Sequence, residues 1–253
     1  MMMKTMNRRS FLKQILTGIV AASGTAVSGR LYAEFIEPKW TDIIHHTISD
    51  PLIPKGFSGI TIAQFSDTHL GFQYSLVDLK KMIDLLNETI PEIVIFTGDL
   101  MDKPNEYPLA EDTVKILKEI KAPLGKFAVF GNHDHGGNGT SIYQDIMEKS
   151  GFQLLKNKNI AIPLGNGDVI HIAGIDEPML GTPDWKDTMH AIPADGFNIL
   201  LSHAPDLADR AKEYPISLQL SGHSHGGQIQ IPLLGPFITP PFAQKFTEGL
   251  YEV

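Results

Sequence analysis

Short apolar segments that recur from about residue 57 onward constrain the fold of this chain most strongly. Five of them lie at 60–65, 92–96, 127–130, 198–201 and 217–220. Runs of this length that are rich in Ile, Val and Phe are typical of buried strands. Apolar residues with helical spacing lie between several of them, at 76–90, 114–120, 143–150 and 206–214. This alternation predicts an α/β fold with largely parallel sheet.

Each of the five segments runs into a polar motif whose side chains can bind a metal ion. In chain order these are D-x-H at Asp67 and His69, G-D at Asp99, G-N-H-D over residues 131–134, a single His at His203, and G-H-x-H at His223 and His225. Side chains that follow parallel strands meet at one edge of the sheet. Each motif alone also has an ordinary interpretation as a polar turn or a helix cap. The ordered set, rather than any single motif, therefore indicates a metal site.

The composition limits the chemistry of such a site. Cysteine is absent from the 253 residues, which excludes disulfides, thiolate nucleophiles and Cys-ligated zinc or iron–sulfur centres. A metal ion must then be bound by His, Asp, Glu, Asn or backbone oxygen. The 21 basic and 29 acidic residues give a net charge of −8. We expect no nucleic-acid partner, because affinity for nucleic acid depends on neutralising phosphates.

The N-terminus has the layout of an export signal, with basic residues before an uncharged, mostly apolar stretch at 15–29. The heptapeptide NRRSFLK at 7–13 resembles a twin-arginine signal. We expect residues 1–33 to be a twin-arginine signal peptide, either cleaved or retained as an anchor; an ordinary Sec signal is the alternative. The expected partner during export is the twin-arginine translocase, and the expected location is the periplasm or cell wall, with or without membrane contact.

The motif set over about 55–230 resembles the calcineurin-like metallophosphoesterase superfamily, and with the twin-arginine-type start it is most similar to the exported YkuE/YaeI-type branch. The resemblance implies a four-layer α/β/β/α sandwich of two mixed sheets flanked by helices, with a dinuclear site at the carboxyl ends of strands. Residues 34–253 are expected to form this domain. Because residues 249–252 have the pattern of a further strand just before the chain stops, we expect a short or truncated C-terminus.

By motif position, the resemblance also implies a role for each polar residue. The implied metal ligands are Asp67, His69 and His225 for the first ion, Asp99 as the bridge between the ions, and Asn132, His203 and His223 for the second. His133 is implied to be the general acid, and Asp134 is expected to orient it. The cofactors are two divalent metal ions, with Mn expected first and Fe, Zn, Co or Mg as alternatives.

The reaction implied by the resemblance is in-line attack on phosphorus by a metal-bridging hydroxide, with His133 protonating the leaving group. We expect a phosphodiesterase. The alternatives are a UDP-2,3-diacylglucosamine pyrophosphatase-like hydrolase of lipid precursors, a phosphomonoesterase on the same scaffold, and a non-enzymatic metal-binding protein of the envelope. The substrate is thus a phosphoester, with lipid-linked and cell-wall compounds as candidates.

Three further segments have two interpretations each. The apolar, proline-rich stretch at 232–242 is either a loop that covers the core or a hydrophobic lip beside the active site. The segment at 174–178 is either a tight turn or a connection directed toward the site. His135, next to the catalytic motif, either lines the substrate groove or has a structural role.

Overall fold

The computed structural model of the protein describes residues 7–36, 40–227, 229–231 and 235–253. The chain divides into two compact units, Met1–Ile43 and Ile44–Val253. The first unit contains helix α1, Arg8–Phe35, which begins after Asn7, whose side chain accepts a hydrogen bond from the backbone N–H of Ser10. Within it, Arg8–Ala33 is long and apolar enough to cross a membrane, judged by length and composition, and a signal sequence has the same properties. The helix therefore fits either a signal or a membrane anchor.

Two four-stranded sheets form the framework of the second unit. The first sheet is parallel throughout, in the order β1 (Ile62–Phe65), β2 (Ile93–Phe96), β3 (Gly125–Ala128) and β4 (Gln153–Leu154). The second has the order β5 (Lys158–Pro163), β6 (Val169–Gly174), β7 (Asn198–Leu201) and β8 (Leu218–Leu220), with only β5 antiparallel to its neighbour. An antiparallel hairpin of β9 (Ile229–Ile231) and β10 (Gly235–Ile238) follows.

Helices lie between the strands along the chain. They are α2 (Leu76–Glu88), α3 (Ala110–Leu117), α4 (Asn132–His135), α5 (Thr140–Lys149), α6 (Trp185–Thr188) and α7 (Ala208–Ala211). Helix α2 begins with a capping box, in which the Ser75 side chain accepts from the backbone N–H of Asp78 and the Asp78 carboxylate accepts from that of Ser75. The one-turn helix α4 carries the G-N-H-D motif and follows the third strand directly.

Alternate residues of the strands divide the core into layers. In β2, Ile93 and Ile95 pack with residues of the second sheet such as Ile199, whereas Val94 and Phe96 pack with the apolar faces of α2, α3 and α5. The opposite face of the second sheet packs against Trp185 of α6 and Ala211 of α7. This period-two alternation gives an α/β fold with two sheets packed face to face and flanked by helices, as expected, although the first sheet is parallel and not mixed.

Two expected elements differ in the structure. The helix predicted at 206–214 is reduced to a 3-10 turn, Pro205–Leu207, followed by α7. The Asp206 carboxylate in this turn accepts hydrogen bonds from the backbone N–H groups of residues 244–246 and so holds the C-terminal segment against it. Residues 249–252 do not form a strand, so that prediction is wrong. In this segment, the Tyr251 hydroxyl accepts a hydrogen bond from the backbone N–H of Thr247. Residues 232–234 of the proline-rich stretch lie outside the described residues.

Candidate metal centre

The loops that follow five strands bring the seven expected ligands together. Asp67 and His69 follow β1, and Asp99 follows β2. The other four follow β3, β7 and β8; they are Asn132, His203, His223 and His225. Because these strands run parallel within each sheet and the sheets are stacked, their carboxyl ends deliver all of these side chains to one edge.

The first group of ligand atoms belongs to Asp67, His69 and His225. The Nε2 atoms of the two imidazoles lie 3.2 Å apart. The Asp67 Oδ1 atom is 3.5 Å from Nε2 of His225 and 3.9 Å from Nε2 of His69. Two ring nitrogens and a carboxylate oxygen thus converge on one point, an arrangement that suits a divalent cation.

The second group belongs to Asp99, His203 and His223, with Asn132 beside them. His203 Nδ1 lies 2.7 Å from the Thr97 carbonyl, so this nitrogen carries the proton and Nε2 presents a lone pair. That Nε2 lies 3.3 Å from Asp99 Oδ2 and 3.2 Å from Asn132 Oδ1. A lone pair facing two acceptor oxygens requires a positive charge between them, either a proton or a metal ion. The donor set therefore fits a cation.

Asp99 lies between the two groups. Its Oδ2 atom is 3.6 Å from Nε2 of His69, in the first group, and 3.3 Å from Nε2 of His203, in the second. Its Oδ1 atom accepts a hydrogen bond of 2.8 Å from the backbone N–H of His133. A carboxylate shared by two groups of ligands occupies the position that a ligand bridging two cations requires.

The charges in the site favour a cation at Asp99. Burial opposes ionisation of Asp99, but the neighbouring His203 and His69 outweigh it and lower the pKa of Asp99 below its ordinary value. Burial likewise opposes protonation of His203, yet Asp99 outweighs it and raises the pKa of His203 to about 10. Burial lowers the pKa of His69 and of His223, which favours the neutral imidazole that binds metals. Nitrogen and oxygen donors without sulfur suit first-row transition metals or Mg.

Five of the seven ligands have left-handed backbone conformations. The φ angles of Asp67, His69, Asp99, His223 and His225 lie between 40° and 70°. Such conformations cost non-glycine residues about 1–3 kcal/mol each and persist where the surroundings enforce them. Part of that enforcement is close packing, because a Cβ atom on Gly131 would overlap the carboxylate of Asp99.

His133 lies at the edge of the site, and its side chain is 36% exposed. Its Nδ1 atom is 2.8 Å from the carbonyl oxygen of Asp102 and 3.6 Å from the Asp102 carboxylate. Nδ1 therefore donates to the main-chain carbonyl of Asp102, which fixes the orientation of the ring and leaves Nε2 for a ligand. The Asp102 carboxylate is 3.9 Å from Nδ1 of His69. Sequence reasoning missed Asp102, and no signal in residue type or spacing marks the main-chain carbonyl that accepts from His133.

Asp134 does not contact the His133 ring, and its expected orienting role is corrected. The side chain is fully buried, and its two oxygens accept hydrogen bonds of 2.8, 2.8 and 3.1 Å from the backbone N–H groups of Asp99, Gly131 and Leu100. Consecutive residues of a helix do not face each other, so the side chain of Asp134 points away from that of its neighbour. Burial and the Asp99 carboxylate raise the pKa of Asp134, while the three N–H donors oppose that rise. Asp134 holds the loops that carry the ligands.

A cavity of about 360 Å³ opens beside His133 and Asn132, and residues 102–106, Gly136, Gly137 and Leu180 also line it. His135 does not line the cavity. Its side chain is 6% exposed and bonds through Nε2 to Asp176 Oδ1 at 2.8 Å. Of the two alternatives for His135, the structure supports the structural role, and the segment at 174–178 contacts this histidine, two residues after His133.

Comparison with known proteins agrees with this geometry. A family model described as calcineurin-like phosphoesterase matches residues 60–227. The chain is 44% identical over 250 residues to an uncharacterised metallophosphoesterase, YkuE, of Bacillus subtilis, covering 99% of this chain and 87% of that protein. It is 27% identical to the phosphodiesterase YaeI of Escherichia coli, covering 96% and 87% of the two chains. It is 29% identical to the UDP-2,3-diacylglucosamine pyrophosphatase LpxG of Chlamydia muridarum, covering 93% and 82%.

Proposed function

This chain belongs to the calcineurin-like phosphoesterase family, whose members are dinuclear metal-dependent hydrolases, and from that premise we propose that it is an exported phosphodiesterase. The observation that carries the diester assignment is the cavity of about 360 Å³ beside His133 and Asn132. A diester carries a second organic group that needs room of this kind, whereas a monoesterase needs a pocket closed around one terminal phosphate. The similarity to a protein named as a phosphodiesterase supports the assignment.

The seven ligands would hold two divalent cations, one bound by Asp67, His69 and His225 and one by Asn132, His203 and His223, with Asp99 shared. When bound, the cations lower the pKa of a water molecule that attacks phosphorus and neutralise charge on the phosphoryl oxygens. Manganese is the first candidate, with Fe, Zn, Co and Mg as alternatives. The single neutral amide of Asn132 limits the negative charge of the ligand set, which helps it to accept an anionic substrate.

His133 would protonate the leaving oxygen. Its Nδ1 atom is bonded to Asp102, so Nε2 carries the exchangeable proton, and the ring borders the cavity. General acid catalysis of this type contributes about 10²- to 10⁴-fold to the rate. The main-chain carbonyl of Asp102 would keep the imidazole in this orientation.

A lipid-linked substrate is the second candidate, because large apolar side chains are exposed around the site. Phe72 follows the His69 loop and is 68% exposed, and Leu180 on the cavity wall is 61% exposed. Phe242 is also exposed and follows Pro241, whose carbonyl accepts from His223 Nε2. These residues would suit acyl chains of a pyrophosphate-linked lipid precursor, the class of substrate that the name of one relative states.

The deciding experiment measures hydrolysis of bis(para-nitrophenyl) phosphate and of para-nitrophenyl phosphate by the full chain. The protein is first stripped of metal and then given Mn, Fe, Zn, Co or Mg in turn. Metal-dependent turnover of the diester in excess of the monoester is expected. Preferred turnover of the monoester would replace the proposal with a phosphomonoesterase, and metal binding without turnover of either ester would favour a metal-binding protein.

Asp99→Asn tests the shared ligand, because an amide offers only one oxygen and no charge to two cations. We expect loss of turnover together with loss of bound metal, measured by elemental analysis. The matched control is Asp84→Asn, which changes an exposed carboxylate paired with Lys80 on α2. Equal metal content in both variants would contradict the assignment of the ligands.

The proposed export by the twin-arginine pathway is tested separately. Replacing Arg8 and Arg9 together by Lys keeps the charge and the helix but removes the arginine pair. The protein is then expected to remain in the cytoplasm, whereas Lys13→Arg, which also keeps the charge, leaves export unchanged. Continued export of the double-Lys variant would favour a Sec signal.

A further inference from the structure

The loop at 176–182 presents an apolar side chain to the cavity beside His133. Leu180 lines this cavity and is 61% exposed. A single exposed leucine is common on protein surfaces and has no meaning by itself. What distinguishes this one is the way in which its loop is held.

Two buried carboxylates fix the backbone of the 176–182 loop. Glu177, which is 1% exposed, accepts hydrogen bonds of 2.8 Å from the backbone N–H groups of Met179 and Leu180, one through each oxygen. Asp176, also 1% exposed, accepts a bond of 2.8 Å from the backbone N–H of Thr182. Hydrogen bonds therefore fix the backbone on both sides of Leu180.

The same loop is fixed to the segment that carries His133. Oδ1 of Asp176 is 2.8 Å from Nε2 of His135, two residues after His133, and the ring of His135 stacks on Phe130 with centroids 4.5 Å apart. Lys156 Nζ is 3.4 Å from the other oxygen of Asp176. The distance between Leu180 and the catalytic imidazole is thus set by a chain of short contacts.

Burying two carboxylates is costly unless their oxygens are fully bonded. Here the bonds are directed to the backbone of a surface loop whose leucine packs into no core. These bonds fix the backbone at the leucine, so the position of its Cα and Cβ atoms is set before a ligand binds. A ligand that contacts the side chain then loses less conformational freedom of the loop than it would on a mobile segment.

We propose that Leu180 determines specificity by contacting an apolar leaving group of the substrate. This inference rests on the proposed phosphodiesterase function, in which His133 protonates the leaving oxygen. The bond between phosphorus and that oxygen breaks, its electron pair stays on the oxygen, and the oxygen takes the proton of His133. Water supplies the hydroxyl group that bonds to phosphorus and, in net balance, the proton that restores His133. The organic group on the leaving oxygen then extends into the cavity that Leu180 lines.

The test uses methyl aryl phosphates that differ only in the leaving phenol, namely phenol, para-ethylphenol and para-butylphenol, with methyl para-nitrophenyl phosphate as a reference. The alkyl groups change the size of the leaving group but hardly its acidity, so that differences in kcat/KM report apolar contact. Each fully buried methylene contributes about fourfold. We expect kcat/KM of the metal-loaded full chain to rise about tenfold or more from phenyl to butylphenyl.

The variants compared are Leu180→Ser, Leu180→Met and Leu250→Ser. Leu180→Ser is expected to reduce the preference for butylphenyl to about twofold, and Leu180→Met to keep most of it. Leu250→Ser is the matched control, because Leu250 is 59% exposed and does not line the cavity; it should keep the whole preference. Glu177→Gln, which loses one acceptor for the loop backbone, should reduce the preference in part. Calorimetric binding of para-butylphenol gives the same comparison without turnover.

The outcomes separate this inference from the function on which it rests. Hydrolysis of all four diesters without a preference in the wild type, or a preference that survives Leu180→Ser, overturns the role of Leu180 and leaves the phosphodiesterase proposal standing. An unchanged preference in Glu177→Gln overturns the role of the hydrogen bonds from Glu177 to the loop backbone. No turnover of any diester by the metal-loaded wild type overturns the phosphodiesterase proposal and this inference with it.

Discussion

Replacing Asp134 by Asn tests whether this residue holds the metal-binding loops or acts on His133. An amide has one acceptor oxygen. If that oxygen takes the place of Oδ2, it keeps the bonds from Asp99 and Gly131, but its NH₂ group then faces the N–H of Leu100. A hydrogen bond contributes about 0.5–1.5 kcal/mol when its acceptor is neutral and about 1.5–3 kcal/mol when it is charged, and a buried N–H without a partner costs about 1–3 kcal/mol.

Relief of the repulsion between Asp134 and Asp99 offsets part of this loss. We therefore expect Asp134→Asn to lower the free energy of unfolding by about 2–4 kcal/mol, which corresponds to a fall in Tm of about 5–15 °C for a domain of this size. The assay is thermal unfolding of the full chain followed by circular dichroism. EDTA is present so that metal binding does not contribute to the Tm.

The control for Asp134→Asn is Asp145→Asn, which removes an exposed ion pair with Lys149 at 2.8 Å. Such pairs contribute about 0–1 kcal/mol, so the Tm should fall by no more than about 3 °C. Asp102→Ala, which keeps the main-chain carbonyl that accepts from His133, should also leave the Tm nearly unchanged. A variant Asp134→Asn with unchanged Tm and reduced kcat would refute the structural role and restore the expected role in orienting His133.

Three further predictions concern the proton donor, the charge of the site and its packing. His133→Ala should lower kcat for methyl phenyl phosphate by about 10²-fold or more. The loss should be much smaller for methyl para-nitrophenyl phosphate, because its leaving group needs no proton. The metal content, measured by elemental analysis, should not change. Because the pKa of His203 is raised to about 10, the metal-free site holds a proton at pH 7.5. Calorimetry in buffers of different ionisation enthalpy should detect the release of this proton when metal binds. Metal should therefore bind more weakly at lower pH. Gly131→Ala should weaken metal binding, since its Cβ overlaps the Asp99 carboxylate, whereas Gly165→Ala, with open space around its Cβ, should not.

The strands and the grouping of the expected ligands were predictable because both depend on local pattern. Apolar runs such as 92–96 form strands wherever a core covers both faces, and parallel pairing then brings the residues after them to one edge. The mixed order of the second sheet follows less directly. Its antiparallel member β5 depends on a short connection to β6 at 164–168, which the motifs do not mark.

The partner of His133 was not predictable from adjacency in sequence. Asp134 is the next residue, but in the helical turn α4 its side chain points into the protein, whereas the main-chain carbonyl of Asp102 reaches the imidazole from a separate loop. Residue type and spacing do not indicate which main-chain carbonyl lies beside an imidazole. The packing of the loop after β2 against α4 decides this, and that packing is a tertiary contact.

The left-handed backbone of five expected ligands was also not predictable from local propensity, because positive φ is uncommon in non-glycine residues even though Asp and His adopt it more often than most. Bonds between loops explain why it persists. The backbone N–H of Asp67 bonds to the carbonyl of Gly98 at 3.0 Å, that of His69 to the carbonyl of Asp99 at 3.2 Å, and that of His223 to the carboxylate of Asp67 at 3.0 Å. Each ligand loop is thus hydrogen-bonded to another ligand loop, and these bonds set the positions of the ligand side chains. It follows that removing the cations should change the charge of the site far more than the positions of its ligands.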